Sequence, residues 1–244
     1  MAVNTPAATE RANGLSTALN VIISPSEAFE TLRTFPMWGW ALIITLVLAG
    51  IGSVLAEPAQ MHAMHATMVH MYATDPKLST LSDDQKASQM ALSESFGKFG
   101  ILFLPIILFI ATAIQTAIML LVNAAARGKA NFKSLWCGMM NVNVVSFGVA
   151  QLINGILAVI KGPDAYNTTV DQFMAIPSVA WIVPGTAPKL TAFLAVTLNP
   201  ISLWALVLTA LMLIGVARIG KVPAYATSVI LLLIGGLFAT FAIR

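Results

Sequence analysis

Charge is what this sequence has least of. Only 9% of its 244 residues are Asp, Glu, Lys or Arg, whereas 58% are hydrophobic. An average soluble domain is about 25% charged, so the balance excludes a soluble globular chain and implies a polytopic membrane protein. The net charge of +3 reflects anchoring residues at a membrane face rather than a nucleic-acid patch, and no nucleic acid is expected as a partner. A single cysteine, Cys137, excludes an internal disulfide. No long apolar run precedes residue 37, so no cleavable signal peptide is expected and the first span acts as its own insertion signal. Also missing are a Gly-rich phosphate loop, a nucleotide fingerprint, a catalytic dyad and a metal motif. No cofactor and no enzymatic activity are therefore expected.

What is present is a set of five apolar stretches, at about 37–56, 99–122, 135–160, 201–217 and 224–243. Crossing the hydrocarbon core takes about 20 apolar residues, and a helix satisfies its own backbone in lipid. The sequence thus predicts an all-α membrane protein with five transmembrane helices over residues 37–244. A cytoplasmic N-terminal segment, 1–36, precedes them and carries short amphipathic interfacial helices. The turns set the orientation. Arg218 and Lys221 lie between the last two spans, and Arg127, Lys129 and Lys133 between the second and third, with no acid in either turn. Short Lys/Arg-bearing loops stay on the cytoplasmic side, which places the N-terminus in the cytoplasm and the C-terminus outside. On this topology the cytoplasmic parts hold seven cations and three acids, and the external parts six cations and seven acids.

Local signals mark the ends of elements. Residues 1–13 read as disordered. Leu15, Ala18, Leu19, Ile22 and Ile23 recur at helical spacing. Ser24-Pro25-Ser26-Glu27 reads as a capping box opening a helix that Pro36 ends. That helix either lies on the membrane surface or caps the bundle. Trp38 and Trp40 suit the interface. Ala41, Thr45, Ala49 and Ser53 form a small-residue seam at steps of four. Residues 57–98 form a first external segment, with a second capping box at Ser82 to Gln85, and 161–198 a second external segment. Pro105 is expected to kink the second span. Asn199 caps the fourth and Pro200 fits its first turn. Asn167-Thr168-Thr169 is a glycosylation sequon, relevant only in a eukaryotic secretory route.

Two clusters carry candidate chemistry. In the external segment Met61, Met64, Met68 and Met71 interleave with His62, His65 and His70. Thioether and imidazole suit copper, with His62, His65, Met61 and Met68 the candidate ligands. The Met stripe reads more simply as an apolar docking face. The third span holds Asn141, Asn143, Ser146, Gln151 and Asn154, and the second holds Gln115. These residues either line a path for a small polar or metal substrate or join helices by hydrogen bonds. No Asp, Glu, Lys, Arg or His falls inside a span, which argues against ion-coupled transport and proton relays.

Two stretches together resemble the Yip1 family. One is Ser24-Pro25-Ser26-Glu27-Ala28-Phe29-Glu30, running to Pro36 and a first span. The other is Asn199-Pro200-Ile201-Ser202-Leu203-Trp204, then Ile214-Gly215-Val216-Ala217, a short basic turn and an Ala-rich last span. Gly128 to Phe132 fits more loosely, and the Met/His segment is not part of the likeness. The resemblance implies a non-enzymatic multi-pass membrane protein. Eukaryotic relatives act in vesicle traffic and bind small GTPases, whereas some bacterial ones look linked to ABC-type efflux assemblies with a periplasmic adaptor. The short chain and small cytoplasmic portion resemble the bacterial setting. The expectation is therefore a structural or accessory subunit in the bacterial inner membrane, its partners the lipid bilayer and other membrane subunits.

Overall fold

The computed structural model describes residues 13–183, 187–241 and 243. Disorder of the first twelve residues, and the positions of Glu10, Arg11, Pro184 and Arg244, lie outside them. The chain runs through α1 (Gly14–Ile23), α2 (Pro25–Thr34), α3 (Gly39–Thr74), the single turn α4 (Pro76–Ser79) and α5 (Asp83–Phe99). Then follow α6 (Leu104–Ala125), α7 (Phe132–Asn143), α8 (Ala150–Lys161), the short α9 (Thr169–Phe173), α10 (Pro188–Thr197), α11 (Pro200–Gly215) and α12 (Lys221–Phe241). A 3-10 turn, Gly100–Phe103, joins α5 to α6, so Pro105 sits in the first turn of α6 and does not kink a helix interior. A π-helical stretch, Val144–Val149, joins α7 to α8.

Among the described residues four helical units are long and apolar enough to cross a membrane: α3, Gly100–Ala125, Phe132–Lys161 and α12. Taken together, α10 and α11 also meet that length and apolarity, with a 52° bend at their junction that suits either a broken span or a re-entrant segment. The fourth apolar stretch, expected as one span over 201–217, thus forms the 16-residue α11. Residues 188–197, expected in an external loop, form the helix α10 that precedes it. Thr197 and the Phe193 ring lie against Gly236 of α12, about three-quarters of the way along that helix.

The first span is also longer than expected. α3 has 36 residues, about 54 Å of helix, and passes through Pro58 where the apolar stretch ends. Pro58 lacks an N–H, but Ala56, Ala59 and Ala63 on the same helix are buried with Ala158, Tyr166 and Ala175. That contact carries the first span's helix without a break into the external segment expected from sequence after residue 56.

The small-residue seam of α3 is its contact with α8 and the π-stretch. Ala41, Thr45 and Ala49 are fully buried. Gly52 meets the backbone of Gln151 and Gly155, and Gly148 lies over Thr45. With no side chain between them the two backbones approach closely. The opposite edge of α3, Ile43, Val47, Ile51 and Val54, is exposed and apolar, the surface lipid would cover.

The N-terminal helices cap one end of this bundle. Ala28, Phe29 and Leu32 of α2 are buried among Leu135, Leu208, Met212 and Leu213 of α7 and α11. The capping box at Ser24 does not form. The Ser24 N–H donates instead to the Asn20 carbonyl at 2.7 Å, closing α1, so Glu27 has no free N–H to accept from. The box at Ser82 does form, with both reciprocal bonds present.

Candidate functional site

The polar row of the third span lies beside the widened π-turn. Asn141 is 1% exposed and its amide donates to the Met37 carbonyl at 2.9 Å and the Cys137 carbonyl at 2.8 Å. It thereby ties the entry of α3 to α7. Asn143 donates to Thr112 Oγ1 at 2.8 Å and accepts from Ser146 at 2.9 Å, joining α7 to α6. Gln151 reaches Ser53 at 3.4 Å, and Asn154 is half-buried one turn further on. Asn141 and Gln151 thus bond to the entry and the middle of α3, and Asn143 to α6. Gln115 is half-buried on α6; its Oε1 and the Thr116 hydroxyl are buried without a partner among the described residues.

A second polar site, at the α10–α11 junction, was legible only in part. Pro200 cannot donate to the carbonyl a turn earlier, so both half-helices end with free groups. Asn199 is 6% exposed and answers both. Its Oδ1 accepts from the N–H groups of Ile201 at 3.0 Å and Ser202 at 2.9 Å, and its Nδ2 donates to the Ala195 carbonyl at 2.8 Å. The N-cap role follows from sequence; the simultaneous closure of α10 does not. One amide side chain thus satisfies free groups on both sides of the irregular junction.

The Met/His run occupies the far end of α3, and its histidines diverge. His62 donates through Nδ1 to the Tyr166 carbonyl at 2.9 Å, with Asp164 3.7 Å from Nε2. His65 donates through Nε2 to Glu94 on α5 at 2.6 Å. The two rings therefore serve different elements, the loop at Tyr166 and α5. Met61, Met64, Met68 and Met71 are each half-buried, with Met61 beside Gly97 of α5.

The sequence model of the Yip1 domain matches residues 19–243, nearly the whole chain. The chain belongs to the Yip1 family. No curated protein and no solved structure matches it at a significant level. The Yip1 domain is a multi-pass integral membrane protein here, entirely helical in its described secondary structure. Its match includes the Asn199–Pro200 break and both basic turns.

Those two turns meet at one end of this Yip1 domain. Lys129 N–H donates to the Ala217 carbonyl at 2.9 Å, and the Asn123 side chain clasps Ala130 through both its amide atoms. A side chain on Gly128 would run into Asn123 and Ile219. Arg127 and Arg218 sit at positive φ, 55° and 58°, each just past a helix end. All five anchors, Arg127, Lys129, Lys133, Arg218 and Lys221, are exposed. Arg218 lies 3.6 Å from Glu30, which also pairs with Arg33 at 3.0 Å, so α2 is tied to the last turn by charge as well as by Phe29.

Proposed function

We propose that this Yip1 protein is a non-enzymatic accessory subunit of a bacterial inner-membrane assembly, most consistent with an ABC-type efflux transporter and its periplasmic adaptor. In this reading the basic turns face the cytoplasm, with the N-terminus inside and the C-terminus outside, as cation-rich short loops favour. The observation that carries it is the use of the buried polar row. Asn141 and Asn143 are spent on joining α3, α6 and α7, and the apolar stretches 37–56, 99–122, 135–160, 201–217 and 224–243 hold no charged residue to drive transport. Apolar faces on α3, α6, α8 and α12 remain exposed for lipid and neighbouring helices. The test is purification from the native membrane in mild detergent, followed by identification of co-purifying chains. Transporter and adaptor subunits in stoichiometric amounts support the proposal. A lone Yip1 chain in several detergents overturns it.

A transporter or channel role is the second reading, favoured by the unpartnered Gln115 Oε1 and Thr116 hydroxyl on α6. It requires water at the polar row. Cysteines introduced at Asn143 and Asn154 would then react with aqueous thiol reagents in the native protein; two unreactive sites remove the path.

A further inference from the structure

At the end of the bundle opposite the basic turns, α8 stops at Lys161. Gly162, at φ 80°, turns the chain sharply into the loop that leads to α9. Between that loop and the segment around Trp181 lies a cleft of about 400 Å³ lined by Lys161, Ala165, Tyr166, Asp171, Met174 and Trp181. Its polar groups are only partly used. Lys161 Nζ donates to the Ala175 carbonyl at 2.9 Å and lies 5.4 Å from the centre of the Trp181 ring, and no carboxylate pairs with it among the described residues. An ammonium has three donors, so two remain. Asp171 Oδ2 accepts from the Asn167 N–H, the Thr168 N–H and the Thr168 hydroxyl, while Oδ1 has no such bond among the described residues. Tyr166 is 2% exposed and its hydroxyl is buried without a partner among the described residues. Burial and the nearby Asp171 raise its pKa, so it stays a donor at neutral pH. The Trp181 indole N–H is already bound, to the Met174 carbonyl at 3.2 Å.

The cleft therefore offers spare N–H and O–H donors beside one spare carboxylate oxygen. Apolar surface flanks it: Val159 and Ile160 on the last turn of α8 and Ile182 next to Trp181 are 59%, 72% and 83% exposed. The buried Tyr166 hydroxyl needs a partner, Lys161 is exposed and Asp171 half-buried, and a group that pairs with all three carries an anion and a cation together. We propose that this cleft holds the headgroup of a zwitterionic phospholipid, its phosphate taken by Lys161 and Tyr166, its ammonium by Asp171, and its chains running down past Ile160 and Ile182. A purely anionic lipid would pair with Lys161 but leave Asp171 without an ammonium.

The test uses the full chain in mild detergent and native mass spectrometry with added phosphatidylethanolamine, phosphatidylglycerol or soluble phosphoethanolamine. The wild type should retain phosphatidylethanolamine in preference to phosphatidylglycerol. Lys161→Gln should lower that retention about tenfold, the loss of a charge-assisted hydrogen bond. Lys161→Arg should keep it, and Asp171→Asn, which preserves the cap acceptor, should abolish the preference between the two lipids. If Lys161→Gln does not fold, Tyr166→Phe supplies the reading, with a loss of about threefold for one neutral hydrogen bond. Equal retention of both lipids by the wild type, or wild-type retention by folded Lys161→Gln and Asp171→Asn, overturns the proposal. Equally tight binding of soluble phosphoethanolamine overturns the assignment to a lipid.

Discussion

Replacing Gly52 by Ala is the sharpest probe of how this bundle is held. Gly52 and Gly155 face each other across the α3–α8 contact. A Cβ on Gly155 would stand 2.8 Å from Gly52 Cα and 2.9 Å from its carbonyl carbon, and one on Gly52 would overlap the Gln151 carbonyl. Carbon atoms sit comfortably at about 3.5–4.0 Å. The obstacle is backbone on both sides, so no side chain can rotate away, and the helices must part by about 1 Å. Overpacking of this kind costs about 1–3 kcal/mol, against a gain of about 1 kcal/mol from replacing Gly by Ala in a helix. Gly50, two residues earlier, has nothing within 4 Å of its Cβ position, so Gly50→Ala keeps only the gain. The two variants should differ by about 1–3 kcal/mol, with Gly52→Ala the less stable. Reversible unfolding by titration with a denaturing detergent measures the difference. Equal stability of the two would mean that close backbone approach does not hold α3 on α8.

Asn199→Ala should destabilise by about 1–3 kcal/mol in the same assay through loss of the caps on both half-helices. Asn199→Asp, which keeps the acceptor and loses the donor, should fall between it and the wild type. A double-mutant cycle with Asn143→Ala and Thr112→Val should give a coupling of about 0.6–1.7 kcal/mol; a coupling near zero would show that the bond between α6 and α7 does no stabilising. Arg218→Gly should release the left-handed backbone at φ 58° and gain about 1 kcal/mol in detergent, yet lower correct insertion in cells, read by a reporter fused at the C-terminus. Leu at Met61, Met64, Met68 and Met71 together keeps the apolar volume, at a cost below about 1.5 kcal/mol per site. Complex formation should survive it, and loss rescued by added copper would restore a thioether metal site.

Hydropathy and capping are local properties, and what rests on them could be read from the chain alone. The apolar spans follow from runs of side chains that water excludes and that only a helix can carry through lipid. The Ser82 box and the Asn199 cap follow from side chains reaching the next turn. The steps-of-four seam in α3 announces a close neighbour, though not which one. What the tertiary structure decided was continuity and partnership. Whether α3 stops at Ala56 or runs on to Thr74 depends on Ala59 and Ala63 finding Tyr166 and Ala175, more than a hundred positions away in the chain. Whether 188–197 is a loop or a helix packed on α12 depends on Gly236 leaving room for Thr197 and Phe193. The Ser24 box was decided by competition, because α1 claims its N–H first. The roles of Asn141 and Asn143 were decided by the Met37 carbonyl and Thr112. A buried amide takes the partner that folding brings to it, and residue type records only that it needs one.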